Sequence, residues 1–160
     1  MSNLSKAVTA ILVLLFLAGI GFFLLPKLGY NIIPPKKPIA IIKNQKIELL
    51  VVRSQKDKEI GLSSHKNLPN NQGMLFPFDK PGYYSFWMKN MKFPIDIIYI
   101  NDNKIVTIYE NAKVPIVSQG NPPIYNPTSP ADTVLEINAG LSKKYNLKTG
   151  DKITYENFSG

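Results

Sequence analysis

The chain has 160 residues, a single histidine, a single tryptophan, no cysteine and a formal net charge of +8. Without cysteine it can build neither disulfide frameworks nor thiolate metal centres, and one histidine is too few for a transition-metal ligand set, so no metal and no cofactor is expected. The excess charge divides in two: residues 1–38 carry Lys6, Lys27, Lys36 and Lys37 and no acid, while residues 39–160 hold 15 basic and 11 acidic side chains, a mild excess that gives no case for nucleic-acid binding.

Residues 7–25 are 19 consecutive positions without a charged side chain. As a helix they would extend about 28 Å, close to the ~30 Å hydrocarbon thickness of a bilayer. This predicts an N-terminal tail and transmembrane anchor over residues 1–25. The run ends Phe22-Phe23-Leu24-Leu25-Pro26, with bulky residues where a cleavage site requires small ones, so an uncleaved anchor is favoured over a signal peptide. A short tail before a large domain predicts a single-pass protein of the cell membrane, with its soluble domain outside the cytoplasm. Residues 26–38 contain four prolines and read as an extended spacer.

The remaining stretch, 39–158, is long enough for one core. Its apolar pattern is short and strand-like. Segments 39–42 and 47–52 flank Asn44-Gln45, and segments 95–100 and 104–109 flank Asn101-Asp102-Asn103, both plausible hairpins. Segments 73–78, 84–88, 134–137 and 152–155 bring the total to about eight strands. Two short helices are predicted, over 54–62 with Ser54 as N-cap and over 139–145. The expected fold is mainly β, a small antiparallel barrel or sandwich behind one N-terminal transmembrane helix. Residues 110–133 hold five prolines and little periodicity, which predicts a long ordered loop that packs on something through Val114, Ile116, Val117, Ile124 and Tyr125.

Several short motifs occur in a fixed order: Gly61-Leu62, Leu68-Pro69, Gly73-Met74-Leu75-Phe76, Phe86-Trp87-Met88-Lys89-Asn90, Pro94-Ile95-Asp96, the run 134–140 and Gly150-Asp151. Together they resemble the DUF192 (UPF0127) family over about residues 51–156. The resemblance implies a small, mostly β domain, often exported or membrane-anchored, and carries no established activity. Two positions depart from the family pattern. Ser63 stands where methionine usually follows Gly61-Leu62, and a nearby family arginine is replaced in Ser64-His65, so a function that needed that arginine is not carried over.

The candidate site centres on Phe86 to Asn90. Alternation along a strand sends Phe86, Met88 and Asn90 to one face and Trp87 and Lys89 to the other. A lysine beside an indole can hold an anionic or carbonyl-bearing ligand, with Asp96 to orient it. Trp87, Lys89, Asn90 and Asp96 are therefore the expected ligand-binding residues, with the proline-rich loop as a rim. Asp96 and Glu136 each lie in an apolar strand, and as a converging pair they would be weak catalytic candidates, although alternation also places single acids on a solvent face. His65 with Ser63, Ser64, Ser85 or Ser118 lacks a recognisable nucleophile turn. The leading expectation is a binding module of the cell envelope, for a small ligand, a glycan or an envelope protein. The alternative is a carboxylate-dependent hydrolase of envelope polymers.

Overall fold

The structure is a computed structural model that describes residues 3–24, 35–116 and 121–158. It divides into two compact units, Met1–Lys36 and Lys37–Gly160. The first unit contains the helix α1 (Asn3–Leu24). The expected transmembrane helix is corrected here: among the described residues, no helix is long and apolar enough to cross a membrane. Residues 25–34, which hold the end of the predicted anchor and most of the proline-rich spacer, lie outside the described residues.

The second unit is mainly β. Its elements in chain order are β1 (Ile39–Ile42), β2 (Gln45–Val51), α2 (Gln55–Ile60), a 3-10 turn (Gly61–Ser64), β3 (Gln72–Gly82), β4 (Phe86–Trp87), β5 (Ile95–Asn101), β6 (Lys104–Ala112), β7 (Ile124–Tyr125), β8 (Ala131–Asn138), α3 (Leu141–Lys144) and β9 (Ile153–Glu156). Seven strands form one sheet in the order β6-β5-β8-β3-β2-β1-β9, and β4 and β7 form a small second sheet. The all-antiparallel expectation is corrected by one pair, because β2 and β3 run parallel. A parallel pair needs a crossover, and α2 with the 3-10 turn supplies it.

The two edge strands of the large sheet meet at one end. Lys104, which opens β6, bridges to Lys152 beside β9. The Ile105 amide donates to Asp151 O at 3.0 Å, and the Ile153 amide donates to Asn103 O at 2.8 Å. The turn that makes this approach possible is Asp102-Asn103, with both residues at positive φ (48° and 57°), the geometry of a tight two-residue hairpin. The result is a half-barrel, closed at that end only.

The sheet buries both of its faces. One face gathers Ala40, Leu49, Leu75, Ile98, Ile105, Leu135 and Ile153, one from each strand of the sheet, and α3 closes it with Leu141. The opposite face of β3, β5 and β8 packs Met74, Phe76, Ile97, Tyr99 and Val134 beneath Leu62 of the 3-10 turn and Met88 beyond β4. Burial on both faces explains why β5 reads as an almost unbroken apolar run, with all positions from Ile95 to Ile100 buried.

The proline-rich segment covers part of the second face. Its strand β7 pairs with β4 through Phe86–Tyr125 and Trp87–Ile124. Tyr99 Oη donates to Tyr125 O at 2.7 Å, Tyr109 Oη donates to Asn126 O at 2.6 Å, and the Thr107 and Thr128 hydroxyls lie 2.8 Å apart. Prolines leave few backbone donors, so side-chain hydroxyls from β5 and β6 tie the segment down. Val114, Ile116 and Ile124 remain exposed, and Val117 lies outside the described residues.

Candidate functional site

Three of the sequence candidates share one opening and two do not. β4 begins the pattern: Phe86 and Met88 turn inward and Trp87 and Lys89 outward, as alternation requires. Trp87 is 51% exposed, and the Lys89 ammonium lies 5.0 Å from the centre of its ring. The alternation then stops at Asn90, whose φ of 60° is left-handed. That turn exposes Asn90 and lets the chain fold back so that the Met91 amide bonds Met88 O at 3.2 Å.

Asp96 lies on the other side of the sheet. It pairs with Ile137 while its neighbour Ile97 pairs with Glu136, so the two carboxylates point to opposite faces. Asp96 is fully buried, and its oxygens are spent on backbone. Oδ1 accepts from the Asn111 amide at 2.7 Å and the Gly140 amide at 3.0 Å, and Oδ2 accepts from the Ser142 amide at 2.8 Å. Asn111 is an extra residue in a β5–β6 bulge at φ 54°, and Gly140 precedes α3 without any side-chain cap of its own. One buried carboxylate therefore stabilises the bulge and caps α3. Asp96 and Glu136 cannot act together on one bond, which removes the two-carboxylate hydrolase.

Glu136 is the unexpected member. Alternation offered it a solvent face, but both faces of β8 are covered, and Glu136 is 5% exposed. Met74 and Ile97 flank it on the neighbouring strands. Its Oε2 has no hydrogen-bond partner. Burial raises its pKa from the ordinary glutamate range to about 8, so the acid is protonated at neutral pH. β3 runs tight against it, because a Cβ on Gly73 would lie 2.9 Å from Glu136 O. Tyr99, on the same face, has its hydroxyl pKa raised by burial first and by the Tyr109 and Glu136 charges after it.

Glu136 lines a small cavity of about 30 Å³ together with Leu62, Phe76, Phe86, Met91 and Lys89. A wider cleft of about 430 Å³ adjoins it through Lys58, Glu59, Phe86 and Trp87, and reaches Gln55, Phe78, Tyr84 and Ser85. The cleft thus runs between α2 and β4. α2 is fixed there by its cap, Ser54 Oγ accepting from the Asp57 amide at 3.1 Å. Lys58 is held by a hydrogen bond to Pro77 O and lies 4.2 Å from the Phe78 ring centre. Phe78 in turn stacks on Tyr84 at 3.6 Å between ring centres. Glu59 takes a hydrogen bond from Gln55 Nε2 at 3.0 Å.

Sequence reasoning passed over Lys58 and Glu59 as ordinary charges of a short helix. The signal that points to them is Gly61-Leu62. Gly61 takes a left-handed φ of 49° beside the Phe76 ring, and this ends α2 at the mouth of the cavity. His65 lies beyond the lining, with Nδ1 3.2 Å from Ser64 Oγ.

The DUF192 family model, described as "Uncharacterized ACR, COG1430", matches residues 39–155. Two crystal structures are similar to the chain. One is a protein of unknown function from Novosphingobium aromaticivorans DSM 12444, with 28% identity and a TM-score of 0.66 over 73% of this chain and 83% of that one. The other, from Sinorhizobium meliloti 1021 and described as a proposed transcription regulator, has 26% identity and a TM-score of 0.65 over 80% of this chain and 100% of that one. No curated protein matches the chain.

Proposed function

The chain belongs to the DUF192 family, and on that premise we propose that its domain is a small-ligand-binding module whose site is the cleft between α2 and β4. Glu136 carries this reading: a buried carboxyl with one unpartnered oxygen lines a cavity that opens beneath Trp87 and Lys89. Leaving a buried polar atom unpaired costs about 1–3 kcal/mol, and a ligand that pairs it recovers that cost. The lining also has the usual composition of a ligand site, aromatic walls with a few convergent polar groups.

The chain's one tryptophan stands at the mouth, so its emission reports on occupancy without a label. The test is a titration of the full-length protein with neutral sugars, primary amines, carboxylates and phosphate, followed by Trp87 fluorescence. A saturable change from at least one class, lost in Lys89→Ala or Glu136→Leu, is the expected outcome. If no class saturates, or if saturation survives both substitutions, the cleft is not the site.

A further inference from the structure

The deep cavity and the wider cleft select for different parts of one ligand. At about 30 Å³ the cavity has room for a group of water or hydroxyl size. Its lining sets Leu62, Phe76, Phe86 and Met91 beside Ser63 and charged side chains, and among the described residues Glu136 Oε2 is the lining atom that is buried without a hydrogen-bond partner, so the group that enters is the one that pairs it. The charged groups facing the site are Lys58 and Glu59 from α2 and Lys89 beyond β4, with the Tyr99 hydroxyl on β5 engaged by Tyr125 O. Two lysines against one glutamate oppose the passage of a cation. A phosphate or carboxylate is held at the lysines and is too large for the cavity. An uncharged hydroxyl passes both filters, because it donates and accepts just as a protonated carboxyl does.

The wider cleft describes the rest of the molecule. Its lining sets aromatic rings (Phe78, Tyr84, Phe86 and Trp87) beside hydrogen-bonding side chains (Gln55, Lys58, Glu59 and Ser85). A sugar ring matches such a lining, since it carries an apolar C–H face and a rim of hydroxyls. We propose that the cleft takes an uncharged carbohydrate, with the ring lying along Trp87 and one hydroxyl inserted into the cavity against the Glu136 carboxyl. This rests on the binding reading above and names its ligand class.

The experiment titrates the full-length protein with cellobiose and N,N′-diacetylchitobiose in one arm. Butylamine, acetate and inorganic phosphate occupy separate arms, all followed by Trp87 emission between pH 6 and 9. A saturable change with at least one disaccharide is expected. Its affinity shifts as pH passes about 8, where the acid ionises and becomes an acceptor only. Glu136→Leu weakens binding about tenfold or more, the loss of one well-made hydrogen bond. Glu136→Gln keeps a donor and an acceptor, so it weakens binding only about threefold and removes the pH dependence. Thermal unfolding shows whether each variant is folded. Butylamine binding that strengthens above pH 8 would make the site cationic and overturn the carbohydrate while leaving the cleft reading in place. Phosphate or acetate binding that is lost in Lys89→Met but kept in Glu136→Leu would do the same in favour of an anion. Silence in every arm overturns both.

Discussion

The two faces of β5 and β8 each bury one carboxylate, and the two acids have opposite roles. Asp96 is surrounded by donors: three backbone amides, from a bulge and from the start of α3, converge on its oxygens at 2.7–3.0 Å. Glu136, one strand and one residue away, faces methionine, isoleucine and phenylalanine and keeps one oxygen unpaired. Burial alone does not mark a functional acid. What separates the pair is whether the fold has consumed the hydrogen-bonding capacity. For Asp96 it has, and for Glu136 it has left one oxygen over for something outside the chain.

The sharpest way to break this comparison is Asp96→Ala. It strands one buried amide, that of Ser142, and two part-buried ones, those of Asn111 and Gly140, and an expected loss of about 3 kcal/mol in chemical denaturation would consume much of the stability of an ordinary domain. A loss below 1 kcal/mol would mean that Asp96 is not structural. Glu136→Gln comes next and acts in the other direction. The free glutamate titrates near 4.5 and the folded one at about 8, so between those values the folded chain holds a proton that the unfolded chain has released. Wild-type stability therefore falls as pH rises from about 4.5 to 8 and levels off above. The amide has no proton to lose, so the variant gains on the wild type across that window and the gain levels off above it. Parallel stability–pH curves for the two proteins would contradict the assignment. The smallest effect belongs to Lys89→Ala. An exposed lysine over an indole contributes under about 0.5 kcal/mol to stability, yet Trp87 emission shifts because the cation leaves its ring.

Much of the half-barrel is legible in the residues. The Asn101 to Asn103 turn, the Ser54 cap and the apolar run of β5 follow from local rules. The parallel pairing of β2 with β3 does not, because alternation is the same in either direction, and only the intervening helix hints at a crossover. β7 is two residues long among prolines, below what any periodicity can register. The site divides along the same line. Trp87 and Lys89 are set outward by a local period of two. Asp96 meets donors 44 and 46 residues downstream, which no local pattern encodes. Glu136 is misread for a different reason: alternation assigns it the solvent side only if a solvent side exists, and in β8 the layer of β4, Met88 and Leu62 takes its place.

The pairing of β1 with β9 has a consequence for the history of the molecule. Ile39 lies opposite Glu156, so the strand that starts the domain waits for the strand that finishes it, some 117 residues later. At about 5–20 residues per second a ribosome needs roughly 6–23 s to deliver that partner. Until then one side of β1 is an open edge, and the amides that will seal the half-barrel have only water to bond. The turn around Gly150 and Asp151 is therefore also the step that closes the half-barrel, and a chain that stalls before it retains a sticky, unfinished sheet.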